Sequence, residues 1–108
     1  MNVVFEKNIP RLVCRFSGKW NCEACSELEP ELARQVSGEI TEVEFDLRDV
    51  PLITSAFLRL CVIYYKKLGL QKFHVANMND NVKSVFELSG LIDIMAYTDK
   101  GKRLDLSG

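Results

Sequence analysis

The sequence predicts an α/β domain built on a mixed β-sheet, with an N-terminal hairpin and helices packed mainly on one face. Two short stretches alternate with period two, Val3 and Phe5 against Val4 and Glu6, then Leu12, Cys14 and Phe16 against Arg11 and Arg15, with a turn at residues 8–10 between them. That is the signature of a hairpin, expected at the sheet edge. After it, stretches of helical period alternate with strand-like runs, the order that builds a mixed sheet through right-handed crossovers. In residues 42–47, Val43, Phe45 and Leu47 alternate with Glu42, Glu44 and Asp46. One apolar and one acidic strand face imply a sheet covered by helices on one side only.

The first helix is read from Cys25, Leu28, Leu32 and Val36, which fall on one helical face, with Gly38 as its stop. Ser26-Glu27-Leu28-Glu29 looks like a capping box, which places Pro30 in the first turn, where proline is tolerated. On that reading Cys22 and Cys25 sit in the turn before the regular helix. A second helix over residues 55–68 is marked at both ends, with Lys66 and Lys67 in its last turn and Gly69 just past it. Its apolar positions are read as Leu58, Cys61, Val62, Tyr65 and Leu68. Residues 72–76 form a short strand with Phe73 and Val75 on one face, and Asn79 caps a third helix carrying Val82, Val85, Phe86 and Ser89, ended by Gly90. Residues 92–97 fit a last strand or a short packed segment, and the tail from about residue 98 is polar. Residues 1–108, without repeat, linker or low-complexity run, read as a single domain.

Composition narrows the function. Fourteen Lys and Arg against fifteen Asp and Glu leave a net charge of -1, so no global field favours nucleic acid or an anionic membrane. The N-terminal segment has Glu6 and Lys7 close to its start and no long apolar run, unlike a signal peptide. The most apolar stretch, residues 56–65, is broken by Arg59 and is shorter than the ~20 residues a membrane span needs. A cytoplasmic location is the expectation, and with it reduced thiols at Cys14, Cys22, Cys25 and Cys61. Cys14 and Cys61 fall on apolar stripes, where cysteine behaves as a small hydrophobe.

Three stretches carry a family resemblance. Residues 43–60, V-E-F-D-L-R-D-V-P-L-I-T-S-A-F-L-R-L, run from a strand with Asp46 near its end through a loop into Ile53-Thr54-Ser55-Ala56-Phe57-Leu58. This resembles the signature of the STAS family, the sulfate transporter and anti-sigma factor antagonist domain, in which an Asp-Ser-Ser-Gly-Leu-type motif opens a helix. Gly18-Lys19-Trp20-Asn21 is similar to the family's Gly-x-Leu-Asp turn, with Asn21 in the aspartate's place, and Phe86-Glu87-Leu88-Ser89-Gly90-Leu91 to its segment ending in Ser-Gly-Leu or Thr-Gly-Leu. All three occur in the family's order.

The resemblance implies a stand-alone anti-sigma factor antagonist, a module that binds a protein and catalyses nothing, with no cofactor and no metal. Its partner would be an anti-sigma factor of the serine-kinase type, which would phosphorylate Ser55, with Thr54 the second choice. Partner contact is expected at Asn21, Asp46, Thr54, Ser55 and Phe57, gathered at one rim of the sheet. The residues themselves allow a plainer reading, in which Ser55 caps the helix, or Thr54 caps it and Ser55 is the first helical residue. Thr54 stands in place of the family's Asp and Phe57 in place of its Gly, and the ring reads either as an obstacle to a kinase or as an anchor facing the partner.

The rival reading is enzymatic. Trp20-Asn21-Cys22-Glu23-Ala24-Cys25 places a C-x-x-C pair between a strand and a helix, as in thioredoxin-like thiol-disulfide oxidoreductases. Against it, Asn21 separates the tryptophan from the first cysteine, and no later cis-proline segment corresponds. With one distant His the pair is too poor in ligands for zinc, which needs four. His74, between Phe73 and Val75, is expected to be an exposed strand residue.

Overall fold

A computed structural model describes residues 2–69 and 71–90. Along the chain these form β1 (Asn2–Asn8), β2 (Arg11–Ser17), α1 (Cys22–Gln35), β3 (Glu42–Asp49), α2 (Ser55–Leu68), β4 (Phe73–Ala76) and α3 (Asp80–Leu88). The sheet order is β1-β2-β3-β4, with β1 antiparallel to β2, and β2, β3 and β4 parallel to one another in turn. The hairpin therefore supplies an edge strand, and the sheet is mixed. The segment 92–97 and the polar tail lie outside the described residues.

The alternation read from the sequence sorts the sheet into two unlike faces. Leu12, Cys14 and Phe16 of β2, Val43, Phe45 and Leu47 of β3, and Phe73 and Val75 of β4 are buried in one core with residues from all three helices. Phe45 lies at its centre, edge-on to Phe16 and Phe73 with ring centroids 4.9 Å away in each case. Phe57 of α2 closes the cluster, 5.0 Å from Phe16 and 5.8 Å from Phe45. Such offset and edge-on pairs add to the large area each ring buries. The other face carries Arg11, Arg15, Glu42, Glu44, Asp46 and His74, with Arg11 3.7 Å from both Glu42 and Glu44. Partly exposed pairs like these contribute little stability, and among the described residues no helix packs on this face.

The start of α1 differs from the expectation. Asn21, not Ser26, is the N-cap, its Oδ1 accepting the Ala24 N–H at 2.8 Å, so Cys22 is the first helical residue and Pro30 lies well inside the helix. Proline there deletes the hydrogen bond to the Ser26 carbonyl and costs roughly 3 kcal/mol. Both residues are exposed, so water reaches that carbonyl. The burial of Ala24, Cys25, Leu28 and Leu32 on the other side outweighs the loss.

In α2 the bounds agree, but the buried stripe is Phe57, Leu60, Cys61 and Tyr64, and Leu58, Tyr65 and Leu68 are only partly buried. An almost continuous apolar run leaves the rotational phase of a helix open. The aromatic cluster sets it here. His74 is half-buried on the polar face, not exposed as expected.

Two outcomes follow from this packing. Phe57→Ala should lower unfolding free energy by about 3–5 kcal/mol, measured by urea denaturation. Burial, and secondarily the Arg11 charge, lower the His74 pKa from 6.5. The unfolded chain therefore binds the proton more readily, and this contribution to stability, present above the unfolded pKa, is lost as pH falls from there through the lower folded pKa. The urea midpoint should drop as pH falls below 6.5, and less steeply in His74→Gln.

Candidate functional site

Because β2, β3 and β4 are parallel and each leads into a helix, the N-termini of α1, α2 and α3 meet at one rim of the sheet. Each is capped by a side chain, Asn21, Thr54 and Asn79 respectively. Rims of this kind, at the carboxyl ends of parallel strands, are where open α/β folds collect functional residues.

The caps are also tied to each other. Thr54 Oγ1 accepts the Phe57 N–H at 3.2 Å and donates to the Trp20 carbonyl at 2.5 Å, joining the start of α2 to the turn before α1. The same carbonyl accepts from Cys25 Sγ at 3.7 Å. Asn79 caps α3 through Oδ1 and donates from Nδ2 to the carbonyls of Val50 and Pro51, at 3.3 and 3.2 Å, fixing the β3–α2 loop. Ser55 is thus relieved of capping. It is the first residue of α2 and its side chain is exposed, with Leu52 also exposed in the loop before it. At a helix start the first N–H groups lack intrahelical partners and the dipole is positive, so an anion at Ser55 is favoured by its surroundings.

Asn21 and Thr54 are brought together through Trp20, with Ser55 the next residue on. Asp46 is at the same rim but its carboxylate belongs to the polar face. Oδ1 accepts from the Arg48 N–H and from Asn77 Nδ2, both at 3.1 Å, and Oδ2 lies 3.6 Å from Arg15 Nε. With 8 % exposure Asp46 is the buried charge of this sheet face, and its bonds hold the end of β3 against the loop after β4. Asn77, with φ 59°, takes the left-handed conformation that Asn tolerates better than most residues.

Phe57, expected at the partner surface, differs: its ring is fully buried among Phe16, Trp20 and Phe45 and is not presented to solvent.

Sequence reasoning missed Trp20 as the hub of the rim, the two further bonds of Asn79, and the Asp46–Asn77 pair. The cap residues were visible as residue types. Backbone carbonyls as acceptors leave no mark in a sequence.

Residues 1–103 match the STAS domain. The chain belongs to the STAS domain family. It is 30 % identical over 96 residues to BtrV of Bordetella bronchiseptica, named as an anti-sigma factor antagonist, spanning 87 % of this chain and 83 % of that protein. Its fold is shared with the anti-sigma factor antagonist SpoIIAA in its unphosphorylated form, at TM-score 0.79 and 19 % identity over 91 % of this chain and 87 % of that one. The phosphorylated form of the Bacillus SpoIIAA superposes at 0.72 with 18 % identity, covering 91 % and 90 %. An anti-sigma factor antagonist from Mycobacterium paratuberculosis gives 0.78 with 21 % identity, covering 92 % and 85 %.

Within this STAS domain, the two departures from the family motif have physical accounts. Thr54, in place of Asp, is another good N-cap, and Phe57, in place of Gly, fills the core beside Trp20. The oxidoreductase alternative gains no support. Cys25 is buried, its thiol pKa is raised chiefly by burial, and Cys14 and Cys61 are buried in the core, with burial pushing Cys14 up to about 12. Among the described residues no group of three or more His, Cys, Asp or Glu is placed to hold a metal, and no helix is long and apolar enough to cross a membrane.

The division of labour between Thr54 and Ser55 is testable by thermal or urea unfolding. Thr54→Ala should cost about 1 kcal/mol, with Thr54→Ser restoring most of it. Ser55→Ala should stay within about 0.5 kcal/mol of the native protein.

Proposed function

We propose that the protein is an anti-sigma factor antagonist, a binding module in a partner-switching system whose switch is phosphorylation of Ser55. The observation that carries this is the exposed Ser55 hydroxyl at the first position of α2, freed by Thr54 from any structural duty. Family membership and the name of the Bordetella relative support the same reading. The partner is an anti-sigma factor of the serine-kinase type. Unphosphorylated, the domain binds it and so releases the sigma factor.

The contact patch is centred on Ser55, with Thr54 and Asn21 beside it and Leu52 as an exposed apolar contact. Asp46 acts on this patch through Arg48 and Asn77, by fixing the backbone at the ends of β3 and β4. Phosphorylation adds roughly -1.5 to -2 charge. The helix N-terminus favours that charge, and Arg59, four residues on, lies on the same face of α2. The domain itself is therefore little disturbed. The penalty falls on the interface, where a dianion must be desolvated or is repelled by an acidic partner surface.

With the cognate kinase and purified variants, Ser55→Asp should bind the partner at least about tenfold more weakly than the native protein, a loss of ~1.4 kcal/mol. Ser55→Ala should bind normally and resist phosphorylation. If the kinase modifies neither Ser55 nor Thr54, and Ser55→Asp binds as the native protein does, the domain is a constitutive binding module without this switch.

A further inference from the structure

The C-x-x-C pair is the one sequence motif that the partner-binding reading leaves unused. Cys22 is exposed at the first position of α1 and Cys25 is buried one turn later. Both line a groove between α1 and α2 whose other wall includes Ala56, Arg59 and Leu60, so the thiols border the first turn of α2. Residues three apart on a helix have Cβ atoms about 5–6 Å apart, against roughly 3.5–4.5 Å in a disulfide, so the first turn of α1 has to tighten by an ångström or two for the bond to close. The second observation is the Trp20 carbonyl, which accepts from Cys25 Sγ and from Thr54 Oγ1 together. The thiol and the α2 cap thus share one acceptor.

We propose that Cys22 and Cys25 form a reversible disulfide, and that its formation is transmitted through the Trp20 carbonyl to the Thr54 cap of α2. The oxidant is a low-molecular-weight disulfide. The exposed Cys22 sulfur, as thiolate, attacks one of the oxidant's sulfurs, forming a mixed disulfide and releasing one thiol. Cys25 then gives up the proton it shares with Trp20, and its sulfur attacks that of Cys22 and releases the second thiol. Two electrons and two protons leave the protein, and the oxidant is reduced to two thiols. Burial raises the Cys25 pKa, which suits the order in which Cys22 reacts first. Cys14 and Cys61, both fully buried, stay reduced. This is a stoichiometric modification and not a turnover reaction. Its effect on a partner at Ser55 rests on the proposed function, whereas the coupling to α2 is a property of the free domain.

The test uses the full chain treated with oxidised glutathione, followed by peptide mapping and by amide NMR spectra of both redox forms. A Cys22–Cys25 disulfide is expected, together with shifts of the amide signals of Asn21, Ser55 and Phe57, and none on β1. A reductant should reverse both. Cys22→Ser, at an exposed position, should fold normally and show neither change. Accumulation of glutathione on Cys22 with Cys25 still free would overturn the disulfide. A disulfide that leaves the Ser55 and Phe57 signals unmoved, or that unfolds the domain, would overturn the coupling. Insulin reduction with multiple turnovers would replace the modification by catalysis. None of these results depends on a partner, so loss of the Ser55 switch would leave the inference standing.

Discussion

Only one face of the sheet is apolar, and every crossover has to return over that face. Phe45, packed edge-on against Phe16 and Phe73 and closed over by Phe57, marks where the burial is concentrated. The opposite face, with Arg11 among Glu42 and Glu44 and Arg15 beside Asp46, has nothing to gain from a covering helix. Parallel strands covered on one side deliver each following helix to the same rim. The shared rim follows from the parallel strands, and the one-sided core sets the three helix starts side by side along it.

At that rim the helix ends are a liability before they are a site, because their first N–H groups have no partner within the helix. Asn21, Thr54 and Asn79 meet this need, and bonds to the carbonyls of Trp20, Val50 and Pro51 tie the three starts together. Stiffness of this kind matters for a binding module, since a patch already held in place loses less entropy on docking. It also separates tasks that the sequence left merged. Thr54 carries the cap, and the side chain of Ser55 is left exposed.

The four cysteines show how strongly environment outweighs residue type. Cys14 and Cys61 are core side chains, Cys25 faces inward but reaches a carbonyl, and Cys22 alone of the four is exposed. Their sequence neighbours point to a redox motif or to none, depending on the family one compares them with. Depth and acceptor decide which chemistry each thiol has available.

The sequence by itself determined the order of the elements from β1 to α3, the hairpin at the edge, the one-sided core and the family. All of these depend on period and residue type, which are local. It also contained the motif with Ser55 and the cap residues Asn79 and Thr54, though it left open which of Thr54 and Ser55 does the capping. The start of α1 was misread because Asn21 and Ser26 are both good caps, and only the depth of Leu28 and Leu32 decides how much proline strain the helix can bear. The phase of α2 and the inward turn of Phe57 were decided by aromatic neighbours distant in sequence, Phe16 and Phe45. The Trp20–Thr54 and Asp46–Asn77 bonds, spanning 34 and 31 residues, were likewise settled by tertiary structure alone. Periodicity records which way a residue faces along its own element. What it meets there depends on how the elements pack.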